Sequence, residues 1–421
     1  MTPVPLTLGM PLSAGAHTAG REWPTSSDFD LPAMRADGWT PTPLSEFVIK
    51  VASRCNLDCD YCYVYHHVDQ GWRSQPKVMS LRTVELLARR ILEHAREWDT
   101  ARVGISFHGG EPMLAGAKFF DDACAILHAE LDGTCELMLM SQTNGTLITP
   151  EIAESLARNR IRVGVSLDGD RGANDRHRRD RVGRSSYDRV LEGIEILRAA
   201  GPEVFSGVLA TIDLDNDPVA SYHAIVDLDP RHCDFLLPHA NWSNLPTTGS
   251  GVWSASETPY ADWLLAIFDE WYAEPSQRLV LRVFQDIMSL HLGGQGGFEL
   301  VGNTPISLVS IETDGSIELV DTLKSAYEGA AATSHTLENS SLSDLLNHPG
   351  IVARQIGTDA LATECRACRF EHECGGGMYT HRYQAGSGFR NPSVFCKDLF
   401  KLHSTISQRL RSDLLALEAS A

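Results

Sequence analysis

An α/β architecture with a cysteine-bearing module behind it follows from three features of the chain. Between Glu46 and about Glu274, short apolar segments alternate with amphipathic ones, giving six strand–helix pairs in succession. Residues with chemical potential stand directly after the strand segments. Beyond about Leu281 the alternation stops, and a hairpin pattern and a second set of cysteines take over. Successive strand–helix pairs predict a parallel sheet with helices outside it.

Residues 1–43 are rich in Pro, Thr, Ser, Gly and Ala and lack periodicity, which predicts a loosely ordered N-terminal arm. Such an arm is too short for a separate peptide-recognition domain. Residues 44–280 make up the strand–helix region. Strands are expected at Phe47–Ala52, Arg102–His108, Glu136–Ser141, Arg162–Leu167, Glu203–Ile212 and Cys233–Pro238. Helices are expected at Ser80–Trp98, Ala117–Leu131, Pro150–Arg158, Tyr187–Ala200, Pro218–Val226 and Thr258–Ala273. Ser80 and Thr149 stand where N-caps belong. Gly249–Ser256 reads as a flexible link or lid. In residues 281–421, Ser307–Glu312 and Ser316–Val320 flank Asp314-Gly315, a hairpin signal, and a C-terminal helix closes the chain.

A net charge of −19 argues against a nucleic-acid partner, which would need a basic field. No apolar run of about 18 residues predicts a membrane span, and the N-terminus lacks the pattern of a signal peptide. Ten cysteines without an export signal favour metal ligation or free thiols over disulfides, so a cytoplasmic protein is expected. Cys124, Cys135 and Cys233 fall in apolar contexts and are expected in the core.

The stretch that carries chemistry is Cys55-Asn-Leu-Asp-Cys59-Asp-Tyr-Cys62, after the first strand. Iron–sulfur clusters normally take four thiolates, so three local ones leave an iron open to a non-protein ligand. Zinc is the alternative, with His66 or His67 as its fourth ligand. Later strand ends carry His108-Gly109-Gly110-Glu111, Ser141-Gln142-Thr143-Asn144, Ser166-Leu-Asp168 and His239-Ala-Asn241. The glycine pair lets a ligand approach the backbone, while Asn144-Gly145 and Asp168-Gly169 also suit plain turns. Arg171 to Arg189 carries seven arginines, most of them expected on a solvated face. Cys365, Cys368, Cys374 and Cys396 can complete one closed site, for iron–sulfur or for structural zinc.

The C-x3-C-x2-C spacing, with Tyr61 before the third cysteine and Gly109-Gly110-Glu111 behind, resembles the radical S-adenosyl-L-methionine (SAM) enzymes. The resemblance implies a partial, TIM-like (β/α)6 barrel with a 4Fe–4S cluster on Cys55, Cys59 and Cys62, whose open iron is chelated by SAM. It places Tyr61 near the adenine, Gly109, Gly110 and Glu111 at SAM's amino group, and Ser166 and Asp168 at the ribose. Gln142 and Asn144 would line the SAM and substrate cavity. Arg178 would meet SAM's carboxylate, since Arg suits bidentate carboxylate contacts. His239 and Asn241, at the sixth strand's mouth, would face the substrate.

The C-terminal cysteines resemble the SPASM auxiliary iron–sulfur domain of radical SAM enzymes that modify peptides and proteins. Met378 and Val320 stand where that family has further cysteines. One auxiliary 4Fe–4S cluster is therefore expected, on Cys365, Cys368, Cys374 and Cys396, giving two clusters and about eight irons per chain. Longer strings resemble the FxsB-type peptide maturases over roughly Glu46 to Leu399, among them Tyr63-Val-Tyr-His-His67, Val320-Asp-Thr-Leu-Lys324 and Asn391-Pro-Ser-Val-Phe-Cys396.

That likeness implies a leader-bearing ribosomal precursor peptide as substrate and a flavodoxin or ferredoxin as electron donor. The expected product is a three-residue cyclophane, an aromatic ring carbon joined to a Cβ. A 5′-deoxyadenosyl radical would take the Cβ hydrogen, and a base would then remove a proton. Asp321 is the first candidate, followed by His239 and His108. The alternatives are oxidation of a Ser or Cys side chain, as in anaerobic sulfatase maturases, and thioether formation or epimerisation. The sulfatase maturases usually keep both auxiliary clusters. A metal-binding scaffold is the non-enzymatic alternative.

Overall fold

Val, Ile and Phe dominate Glu46–Ala52 (β1), which is buried along nearly its whole length, as a strand covered on both faces must be. The computed structural model describes residues 22–246, 254, 256–274, 279–297 and 299–420. From β1 the sheet continues in parallel through Arg102–Gly109 (β2), Glu136–Thr143 (β3), Arg162–Ser166 (β4), Phe205–Thr211 (β5), His232–Leu236 (β6) and Val280–Leu281 (β7). All six expected strands form, within two residues at each end. The expected helices form at Leu81–Trp98, Ala117–Leu131, Pro150–Arg158, Tyr187–Ala200, Pro218–Val226 and Pro259–Ala273. Ser80 and Thr149 cap the first and third of these through their hydroxyls. Register sets Lys50 of β1 beside His108 of β2. Cys124 and Cys233 lie in the core, and Cys135 packs against it. Gly249–Ser256, the expected link or lid, lies largely outside the described residues.

Two expectations need correction. The segment from Glu22 to Leu44 is not loose. Trp23 is buried, and its backbone pairs with the stretch around Gly388, where a Cβ would come within 2.0 Å of the Trp23 carbonyl oxygen. A short helix, Leu31–Ala36, follows under an Asp30 cap. Nor does the sheet break near residue 280. Leu308–Ile311 (β8) pairs in parallel with β1, and Ser316–Glu318 (β9) and Ala332–Thr336 (β10) extend that edge antiparallel. The result is one ten-stranded sheet in the order β10-β9-β8-β1-β2-β3-β4-β5-β6-β7. Apolar runs announce strands but carry no record of their lateral neighbours.

The hairpin forms at Asp314-Gly315, with Gly315 at φ +89°. Behind it Lys324 reaches Glu312 at 2.5 Å and Glu318 at 2.9 Å, the lysine and Glu312 side chains being at most 5% exposed. Lys324→Met would leave two carboxylates without their cation. We expect it to cost about 3–5 kcal/mol in urea unfolding, and a loss under about 1 kcal/mol would show that the network contributes little.

Candidate active site

The cysteine loop leaves the C-terminal end of β1, the end at which barrel enzymes gather their chemistry. Arg181 donates to the Cys55 carbonyl at 3.0 Å, and the Asp58 N–H bonds to the Arg179 carbonyl. Cys55 Sγ also accepts from the Leu57 N–H at 3.4 Å and from the Asn144 amide at 3.6 Å. The thiols lie close enough to influence one another. Burial, the larger cause, pushes Cys55 up to about 12 and Cys59 to about 11. Thiols so placed ionise when metal draws out their protons.

Gly109 and Gly110 close the loop from below. A Cβ on Gly110 would meet the Arg54 carbonyl at 2.5 Å, and one on Gly109 the Ala52 carbonyl at 2.1 Å. Among the described residues no three His, Cys, Asp or Glu side chains gather tightly enough to hold one metal ion. His66 bonds instead to Asp58. Three thiols on one loop, with the Asn144 amide on Cys55 and the loop backed by Gly109 and Gly110, fit a cluster with one open corner.

Around this loop stand the other expected residues. Glu111 is fully buried and accepts from the Met113 N–H, the Thr143 hydroxyl and the Asn144 N–H. A carboxylate offers about four acceptor sites, so one remains for an ammonium group, while the others fix the loop after β3. Tyr61 donates to Asp168 at 2.7 Å and accepts from Arg178 at 2.7 Å, so these three form one unit. Of the arginine run, Arg178 is the buried member. Arg171 and Arg176 pair with exposed or half-buried aspartates, and the exposed Arg184 pairs with the buried Asp180. The Gln142 amide donates to the Ser166 hydroxyl at 2.9 Å.

Further into the chamber, Asp321 accepts from Lys50 and, at 2.7 Å, from the Tyr63 hydroxyl. Burial works to raise the Asp321 carboxyl, but Lys50 and His108 beside it hold it well below the usual carboxylate range. His239 packs edge-on against Tyr63, with ring centroids 4.6 Å apart. Burial pushes His108 and His239 down to about 4, aided by Lys50 and His67 respectively. Both imidazoles are therefore neutral near pH 7, and each has a buried Nδ1 without a hydrogen-bond partner among the described residues.

The structure brings the three candidate bases together but takes Asn241 out of the substrate face. Asn241 is fully buried, its amide oxygen accepting from the Ser243 and Asn244 N–H groups and its NH2 bonding the Ser325 carbonyl. Lys50 and Tyr63 are the residues sequence reasoning passed over. The available signal was Lys50 itself, a lone cation in an apolar strand, which requires a buried partner.

In the C-terminal region, Cys365, Cys374 and Cys396 interact electrostatically, and Cys396 with Cys368. Cys396 opens the helix Cys396–Ser420, an end that favours thiolate. Val320 is buried in the core, and Met378 packs against it.

Residues 49–220 match the Radical SAM superfamily. The serine-type anaerobic sulfatase-maturating enzyme of Bacteroides thetaiotaomicron is 26% identical over 387 residues, 87% of this chain and 91% of that protein. The solved structure of native anSMEcpe with bound AdoMet superposes with a TM-score of 0.74 at 21% identity, covering 87% of this chain and 98% of that one. Streptococcus suis SuiB bound to precursor peptide SuiA has a TM-score of 0.56 at 15% identity, covering 87% and 78%. Among the described residues no helix is long and apolar enough to cross a membrane. With this fold, a partial barrel followed by an auxiliary region, the chain is a radical SAM enzyme whose cofactors are SAM and the barrel's 4Fe–4S cluster.

Proposed function

We propose that the protein removes two hydrogens from a peptide side chain at Cβ, in the manner of the sulfatase-maturating relatives that act on Ser or Cys. The observation that carries this reading is the chamber in which Lys50, Asp321, Tyr63, His108 and His239 meet beside the cysteine loop. When bound, SAM and the cluster on Cys55, Cys59 and Cys62 supply a radical able to take a hydrogen atom from an unactivated C–H bond. The protein's own residues do the rest. Tyr61, Asp168 and Arg178, with Glu111, shape the pocket for the cofactor's polar groups. Asp321, kept ionised by Lys50, would take the proton that leaves the oxidised side chain, with the accompanying electron passing to an iron–sulfur cluster held by the cysteines. The neutral imidazoles of His108 and His239 can accept it in turn.

SuiB, solved with its precursor peptide SuiA, supports a peptide substrate. A second reading, closure of an aromatic ring onto Cβ, also loses two hydrogens, one from Cβ and one from the ring. It is favoured by Val320 and Met378, whose apolar packing leaves no thiolates for a second auxiliary cluster. On either reading Cys365, Cys368, Cys374 and Cys396 hold one auxiliary 4Fe–4S cluster.

Anaerobic incubation with SAM, dithionite and a candidate peptide separates the readings. A product captured by a hydrazide carries the expected carbonyl. A product two hydrogens lighter that resists capture is crosslinked. Release of no deoxyadenosine with any peptide would overturn both. Asp321→Asn is expected to lower product formation at least about a hundredfold while deoxyadenosine release continues. Unchanged product would remove Asp321 from the role of base.

A further inference from the structure

At the end of the barrel opposite the cysteine loop, where β1 begins at Glu46 and β8 at Leu308, lies a cavity of about 380 Å³. That is within the range of small-ligand sites, about 300–1,000 Å³. Its walls include Arg354, Tyr379, Arg382 and Glu299. The Arg354 side chain is 5% exposed. One of its terminal nitrogens donates to Glu299, and the other, Nη1, has no partner among the described residues. The Tyr379 hydroxyl is likewise buried and unpartnered. Leaving a buried donor unmet costs about 1–3 kcal/mol, so two on one cavity call for an acceptor from outside the fold.

The guanidinium carbons of Arg354 and Arg382 stand 5.4 and 5.7 Å from the Tyr379 ring centroid, so both arginines pack against this one ring of the wall. Charge points the same way. Arg354 is answered by Glu299, and Arg282, also in the wall, by Asp234. Arg382 is buried and donates to the Gly375 and Gly377 carbonyls, with no carboxylate paired to it among the described residues. Glu46 is the remaining acid of the wall, and it forms no ion pair with Arg382 among the described residues. Arg382 is thus the arginine of the lining that no carboxylate answers among the described residues, and a single carboxylate from outside would answer it. Guanidinium pairs also suit the planar carboxylate fork.

We propose that this cavity is a second ligand site, taking a small carboxylate-bearing molecule held by Arg354, Arg382 and Tyr379. It lies apart from the SAM pocket and against the loop that follows Cys374. Three consecutive glycines with positive φ, Gly375 at +58°, Gly376 at +78° and Gly377 at +73°, turn two of that loop's carbonyls onto Arg382. A ligand drawing on Arg382 would therefore be felt next to a cysteine of the C-terminal group.

The test uses the anaerobically reconstituted holoprotein, saturated with SAM so that the first pocket is filled. Isothermal titration with acetate, butyrate, benzoate and inorganic phosphate is expected to give saturable binding at one site for at least one monocarboxylate, and weaker binding of phosphate. Tyr379→Phe, which keeps the ring, and Arg354→Lys, which keeps the charge, should each weaken binding about tenfold, with melting temperatures checking that both fold. Absence of saturable carboxylate binding would overturn the proposal and leave the cavity to water. Tighter binding of phosphate, or native affinity in both variants, would overturn it as well.

Discussion

Replacing Cys55, Cys59 and Cys62 together by alanine is expected to abolish deoxyadenosine release and to lower iron from about eight to about four atoms per chain. The expectation rests on the two cysteine groups being separate in the fold. The first occupies one loop after β1. The second is built from two short helical turns and the start of the C-terminal helix. Removing one group should leave the other able to hold its cluster, visible as a residual electron paramagnetic resonance signal after reduction. The thiols of the first group are expected to contribute through metal and little through packing, because burial opposes their ionisation when no metal is bound. About eight irons retained in the triple variant would show that the loop binds none. About twelve in the unaltered protein would show a further cluster beyond the seven cysteines assigned.

Lys50→Met is expected to cost about 3–5 kcal/mol at pH 7. Both partners are buried, the Lys50 side chain at 3% and that of Asp321 at 10% exposure, so solvent screens the pair little. The variant strands a carboxylate that the Tyr63 hydroxyl alone cannot compensate. Its pH dependence should also reverse. In the native protein the Asp321 carboxyl lies below its unfolded value. Its contribution to stability is then full above the ordinary carboxylate pKa, about 3.9, and is lost as pH falls towards the native value. Without Lys50, burial is opposed only by His108 and the Tyr63 hydroxyl, and the native pKa is expected to rise above the unfolded one. The stranded carboxylate then destabilises at neutral pH, and the variant should recover stability as pH falls from 7 to 5. Urea midpoints at the two pH values measure this directly. Adding Asp321→Asn to Lys50→Met should restore part of the loss, since no buried charge is then unpaired. A single variant within about 1 kcal/mol of native stability would mean that the chamber admits water to the pair.

Much of the site was legible in the chain because it is local. Tyr61 is separated from Cys62 by no residue, Glu111 follows two glycines, and the cysteine spacings are short. Periodicity announced the helices at Ala117–Leu131, Pro150–Arg158, Tyr187–Ala200 and Pro218–Val226 to the residue. Asn241 misled because a strand-end position does not say which way a side chain turns. Here it turned back to hold its own loop.

Linear order thus dictated the strand–helix alternation and the grouping of the cysteines, since both depend on neighbours a few positions apart. Tertiary structure alone decided the Lys50–Asp321 pair, whose members are 271 positions apart. It also decided the joining of β8 to β1 and the convergence of Arg354, Tyr379 and Arg382. Contacts of this kind are chosen by how whole elements pack, and a buried charge finds its partner only when distant segments meet.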